Sequence, residues 1–161
     1  MSFTAHIVVA ADVDQDWLGR QLGPWQLSEA FLPPFLGALS TRLGCRVNAI
    51  DMVTLAPPAA GTPALALQQE DQDHPRVRRA RRYRDGVAVW VTDGGLLTVG
   101  RGLSGRWEVG LEVAATHRGR GLGRALASAA RHLTPDGRPV WAQIAPGNAA
   151  SVRAFLAAGY R

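Results

Sequence analysis

The chain has 161 residues, 47% of them hydrophobic and 19% charged, with a formal net charge of +5 and one cysteine. That is long enough for a core of its own, and the composition is globular rather than disordered or fibrous. No stretch approaches the roughly 20 apolar residues of a membrane helix, Ile7 to Ala11 is too short and lacks the basic flank of a secretion signal, and Cys45 alone excludes an internal disulfide and suits a reducing cytoplasm.

In chain order, Thr4 to Ala11 reads as a short strand, and Asp12 to Asp16 supplies cap-like acids for a helix around Trp17 to Leu22. Gly23-Pro24 ends that helix. Leu27 to Leu43 has helical apolar spacing, with Ser28 as a cap, Gly44 as a stop, and Pro33-Pro34 kinking or dividing it. Val47 to Leu55 reads as a strand, Ala56 to Ala66 as an extended Pro/Ala/Gly linker, and Gln68 to Asp73 as a polar loop. The organisation expected is an N-terminal α/β segment over residues 1–73, packed on a core formed by residues 74–161.

Charge divides along the same line. Residues 1–73 carry three arginines against eight acids, and residues 74–161 carry fifteen against five. The basic residues are all arginine, so the protein has no lysine of its own to acylate. A basic half suits a polyanionic ligand, although arginine richness also follows from genome base composition. His74 to Arg84 holds six arginines in eleven residues and reads as a solvated helix or strand edge. One aromatic, Tyr83, gives it no base-stacking pattern, so nucleic acid is not the expected partner.

Three strands follow, Val87 to Thr92, Leu96 to Arg101 and Trp107 to Val113, with turn chemistry at Asp93-Gly94-Gly95 and Ser104-Gly105, as in an antiparallel meander. Arg118-Gly119-Arg120-Gly121-Leu122-Gly123 then joins the last of these to an Ala/Leu-rich helix from Arg124 to Leu133. Such a turn holds phosphate: first-turn amides lack intrahelical partners, the dipole adds positive potential, and glycine lets the backbone approach an anion. The dinucleotide fingerprint fails because Arg124 stands where its third glycine belongs, and a P-loop needs a lysine that the chain lacks.

Arg118, Gly121 and Gly123, preceded by Leu111-Glu112-Val113, form R-x-x-G-x-G, which resembles the coenzyme A pyrophosphate loop of the GNAT superfamily of acyl-CoA-dependent acyltransferases. A second segment agrees. Val140 to Ala145 reads as a buried strand, and Asn148-Ala149-Ala150-Ser151 to Phe155 and Gly159-Tyr160 resemble the family's strand–Asn–helix–Gly–aromatic segment. The resemblance spans Arg84 to Arg161. It implies an α/β fold with a mixed, mostly antiparallel central sheet, flanking helices, and a splayed strand pair between Val113 and Val140 where the pantetheine arm lies. It also implies an N-acetyltransferase that moves an acetyl group from acetyl-CoA to a small-molecule or protein amine, with no metal. A non-catalytic acyl-CoA sensor of the same fold remains the alternative, and a homodimer is compatible with either.

By the same resemblance, the amides from Arg118 to Arg124 (Gly119, Arg120, Gly121, Leu122 and Gly123 between them) hold the pyrophosphate, and the Arg118 and Arg120 side chains add charge. The backbone of Val113 contacts the pantetheine. Asn148 contacts pantetheine or acceptor, caps the helix, or does both, and Ser151 is either a cofactor contact or ordinary helix surface. Glu112 and Glu108 share a strand face if the strand is regular and are the candidate general bases; a β-bulge would separate them, and an arginine-paired surface role is the alternative for each. His117 reads as a solvent-facing loop residue. Trp17, Trp25, Trp90 and Trp107 read as core or interface aromatics rather than a pocket.

Two departures stand out. Phe155 occupies the position where many members place the tyrosine that protonates the departing thiolate, and Tyr160 is at a position that is usually structural. The sequence also ends at Arg161, before the last strand pair that family members usually carry, so the core is expected to lack its final strand or strands.

Overall fold

The computed structural model describes residues 6–23 and 27–161. Pro24, Trp25 and the start of the strand expected at Thr4 lie outside the described residues. The chain divides into two compact units, Met1–Ile50 and Asp51–Arg161.

In the first unit, α1 (Gln15–Gln21) begins at Asp14, whose side chain accepts the Trp17 amide at 2.6 Å, which is the cap chemistry expected of the acids there. A 3-10 turn (Glu29–Phe31) precedes α2 (Pro33–Leu43). The proline pair thus divides the apolar run by starting a helix, because proline's fixed φ and missing N–H are tolerated in a first turn. Ser28 makes no capping bond, and Gly44 ends α2 in the left-handed conformation at φ 61°. Among the described residues of this unit only Ala30 and Phe35 are buried.

The second unit is built on a six-stranded sheet in the order β1-β6-β5-β4-β3-β2. Its strands are β1 (Met52–Ala56), β2 (Gln68–Gln69), β3 (Asp85–Thr92), β4 (Gly95–Arg101), β5 (Trp107–Val113) and β6 (Val140–Ile144). All neighbours are antiparallel except β5 and β6. Two readings need correction here. The strand expected from Val47 begins only at Met52, and the polar stretch after Gln68 contributes the short β2, paired with β3 through Gln68↔Val91 and Gln69↔Trp90. Both strands join the sheet of the motif-bearing half, so this compact unit starts at Asp51. The stretch between them is not a free linker: Arg131 donates from Nε to the Pro57 carbonyl at 3.1 Å, and the Ala59 amide donates to the Arg131 carbonyl at 2.8 Å.

The β4–β5 register runs unbroken from Gly95↔Val113 to Arg101↔Trp107, with no bulge in β5. Strand alternation then puts Glu108, Gly110 and Glu112 on one face and Trp107, Val109, Leu111 and Val113 on the other. The second face carries the main core. There α4 (Leu122–Ala130) and α5 (Ala149–Ala157) pack through Leu126, Ala127, Ala130 and Phe155 against Leu97, Val109, Val140 and Ala142. Alanines bring α4 close to the strands, and burying Leu97 and Leu126, both 0% exposed, contributes about 2 kcal/mol each. The Glu108 face is covered by α3 (Pro75–Tyr83), where the arginine-rich run forms a helix because Val77 and Ala80 fall on one side and are buried, Val77 packing against Val89 and Leu96.

Beside β6 the sheet continues into β1, which precedes the motif-bearing segment in sequence. Arg161 exchanges both backbone hydrogen bonds with Leu55, at 2.9 and 3.0 Å. The strand beside β6 therefore comes from before the motifs and not from chain following Tyr160. No helix among the described residues is long and apolar enough to cross a membrane.

Candidate active site

The parallel β5–β6 ladder covers only Trp107↔Val140, Glu108↔Trp141 and Val109↔Ala142. Beyond it β5 runs on through Gly110 to Val113 against β4 alone, and Gln143 and Ile144 of β6 pair with β1 alone. The two strands part there. A cleft bounded by strand backbone can take an extended chain that pairs as an added strand would.

At the end of β5 the chain passes through a short 3-10 turn, Ala115–His117, into the glycine loop. Gly119 and Gly121 have φ of 74° and 85°, and a Cβ at either would meet nothing within 4 Å, so conformation rather than crowding requires glycine. Gly121 is the N-cap of α4 and supplies no side-chain cap, so the amides that follow it have no side-chain acceptor. Gly123 differs: its φ is helical, and a Cβ would make ordinary contacts with Ala154 and Val113 at 3.6 and 3.8 Å. Arg118, Arg120 and Arg124 are exposed around the turn. Arg118 Nε donates to the Val113 carbonyl at 3.1 Å, which ties the loop to the end of β5.

Across the cleft, Asn148 caps α5 just after β6, its Oδ1 accepting the Ser151 amide at 3.1 Å. The cap uses the oxygen and leaves the Asn148 NH2 group for another partner. Ser151 is half-buried on the first turn of α5. Phe155 is deep in the core, edge-on to Tyr160 with ring centroids 4.8 Å apart. Tyr160 is equally buried and donates its hydroxyl to the Ala127 carbonyl at 3.2 Å. Burial pushes that phenol well above its usual range, against a smaller opposing effect of Arg131, so neither aromatic offers a proton to the cleft.

The two candidate carboxylates share a face but not an environment. Glu108 is 5% exposed and accepts from Arg84 Nε at 3.1 Å, Arg106 Nε at 2.7 Å and Gln143 Nε2 at 3.3 Å. Burial lowers the Arg84 pKa, with Glu108 opposing it, and a guanidinium stays charged regardless. Glu112 is half-exposed and meets one cation, its Oε2 receiving Arg76 Nε at 3.2 Å. It also lines a pocket of about 250 Å³ on the α3 face, with polar neighbours Gln72, His74 and Thr92 and an apolar floor of Val91 and Leu96.

His117 is not free in solvent. Its ring lies against the Gly94 backbone, where an added Cβ would fall 2.1 Å from Cγ, and its Nε2 is 3.4 Å from an Asp93 carboxylate oxygen. The imidazole latches the loop to the β3–β4 turn, assisted by the Ala114 amide on the Gly94 carbonyl at 2.9 Å. Trp107 is a core residue whose indole donates to Asp136 at 2.7 Å, and Trp90 packs against the same core. Desolvation raises the Asp136 pKa, but the Trp107 bond and the other hydrogen bonds outweigh it and leave the carboxyl below its ordinary value.

Sequence reasoning did not single out Gln72 and His74 as pocket residues, or Arg76, Arg84 and Arg106 as partners of the glutamates. His74 did carry a local signal, since a polar residue before Pro75 at a helix start is a capping pattern. Its place beside Glu112 did not.

Residues 60–160 match the sequence profile of the Acetyltransferase (GNAT) family. No curated protein and no solved structure matches the chain significantly.

Proposed function

Because this chain belongs to the GNAT acetyltransferase family, whose members generally use acetyl-CoA, we propose that it transfers an acetyl group from acetyl-CoA to an amine within a direct ternary complex. The observation that carries this reading is the parting of β5 and β6 beside a glycine-capped helix start, with a half-exposed carboxylate on the same strand. In it, the amides from Gly119 to Arg124 hold the pyrophosphate, Arg118 and Arg120 add positive charge, and the pantetheine lies along the Val113 end of β5. Asn148 offers its NH2 group from across the cleft, and Ser151 its hydroxyl.

Acetyl transfer needs a neutral amine, because an ammonium has no lone pair with which to attack the thioester carbonyl. Glu112 suits the proton acceptor: Oε2 is held by Arg76, and Oε1 remains for the amine or an intervening water. Glu108 suits it poorly, since its oxygens already serve three donors. The new C–N bond forms as the C–S bond breaks, and water protonates the thiolate. A thiolate is a good enough leaving group for Phe155 to be tolerated where a tyrosine would serve as acid.

Phe155 also motivates a second reading, an acyl-CoA sensor that binds without turnover. Calorimetry with acetyl-CoA followed by thiol-release assays over an amine panel separates the two. Transfer predicts binding and amine-dependent thiol release. Binding without release selects the sensor, and a folded protein that ignores acetyl-CoA overturns both.

A further inference from the structure

The pocket beside Glu112 carries information about the acceptor. His74 is the N-cap of α3, and its Nδ1 accepts the Arg76 backbone N–H at 3.1 Å. An imidazole nitrogen that accepts a backbone N–H carries no proton, so the neutral ring has its hydrogen on Nε2. The capping bond therefore sets a tautomer, and His74 brings one N–H donor to a pocket whose acid is Glu112. The carboxylate is likewise oriented, because Arg76 occupies Oε2 alone. Arg76 thus positions both groups, one through its backbone and one through its side chain.

Size and lining restrict what fits. At about 250 Å³ the pocket is below the roughly 300–1,000 Å³ of sites for drug-sized ligands. Glu112 is its only carboxylate, and Val91 and Leu96 give it an apolar floor.

We infer that this pocket is the acceptor site and that it selects a small primary amine carrying a hydrogen-bond-accepting oxygen, the nitrogen at Glu112 and the oxygen on the His74 Nε2–H. The inference rests on the acetyl-transfer reading and adds to it a substrate class and a specificity residue. A bare alkylamine leaves the imidazole N–H without a partner, and a site built to hydrogen-bond an oxygen discriminates against an analogue that lacks it.

The test uses isosteric pairs, ethanolamine against propylamine and 3-aminopropanol against butylamine, with the full chain and acetyl-CoA. The wild type should prefer the better-fitting amino alcohol over its alkyl partner about tenfold in kcat/KM, the worth of one neutral hydrogen bond. His74→Asn keeps a side-chain acceptor for the helix cap but stops short of Nε2, so the preference should fall to about one, mainly through KM. His74→Gln returns an N–H near the Nε2 position and should restore part of it. A wild-type ratio near one, or a ratio that survives His74→Asn, overturns the inference. If acetyl-CoA binds and no amine releases thiol, the transfer reading fails separately. Imidazole nitrogen NMR of the acetyl-CoA complex then decides the site: a His74 Nε2 shift with an amino alcohol and not with its alkyl isostere supports it, and no shift overturns it.

Discussion

The two ends of β5 differ more than their sequences do. At Trp107–Val109 the strand is paired on both sides, and its carboxylate, Glu108, is buried among two guanidiniums and an amide. From Gly110 to Val113 it is paired with β4 only, and its carboxylate, Glu112, keeps one cation and a pocket. Each glutamate sits on the α3 face of a regular strand. What separates them is whether the neighbouring strand has departed. The closed end spends its charge on holding α3, β5 and β6 together, and the open end leaves an oxygen for the amine in the proposed reaction.

The contrast breaks most completely at the loop that the open end feeds. Gly121→Asp places a carboxylate at the turn proposed to hold the pyrophosphate and forces a side chain onto φ 85°. It should remove acetyl-CoA binding from the calorimetric window, a loss of 100-fold or more, while circular dichroism shows a folded protein. Retained affinity would mean that the loop does not hold the pyrophosphate.

Glu108→Gln comes next and acts on stability. It leaves Arg84 and Arg106, whose side chains are 15% and 12% exposed, without their counter-charge, a change that costs about 3–5 kcal/mol for buried pairs. Denaturant unfolding should show that loss; a change within about 0.5 kcal/mol, the range of ordinary surface substitutions, would equate the two ends.

Glu112→Gln should leave stability near that surface range, because its ion pair is half-exposed. It should instead lower the acetyl-transfer rate about 100-fold, the lower end of what general base catalysis supplies, with acetyl-CoA affinity little altered. An unaltered pH–rate profile would clear Glu112 of the role. The smallest effect is expected for Arg118→Ala, which frees the Val113 carbonyl and removes one exposed charge beside the turn. A loss of acetyl-CoA affinity of about tenfold or less, shrinking as salt is added, fits an exposed contact; a loss as large as that of Gly121→Asp would make Arg118 a principal ligand group.

Much of this arrangement was legible locally. Bounds of β5 agree with the expected Trp107–Val113, the meander is antiparallel, and Asn148 does cap its helix. These features depend on residues close in sequence, where alternation, turn glycines and capping side chains act directly. Val47 to Leu55 was harder, because an apolar run with β propensity becomes a strand only where a neighbouring edge completes its hydrogen bonds, and only Met52–Ala56 meets β6. Gln68–Gln69 is the converse, a polar pair made a strand by the open edge of β3.

The sequence by itself determined the glycine turn, since positive φ at Gly119 and Gly121 and an uncapped helix start are properties of adjacent residues. It also determined that Glu108 and Glu112 share a face, once the strand proved free of bulges. Which glutamate is buried was decided by tertiary structure alone. Beside the local Arg106, the partners of Glu108 lie 24 and 35 residues away, at Arg84 and Gln143, and that of Glu112 lies 36 residues away, at Arg76. Charge pairing over such separations depends on how α3 crosses the sheet and where β6 leaves β5, and no local pattern encodes either.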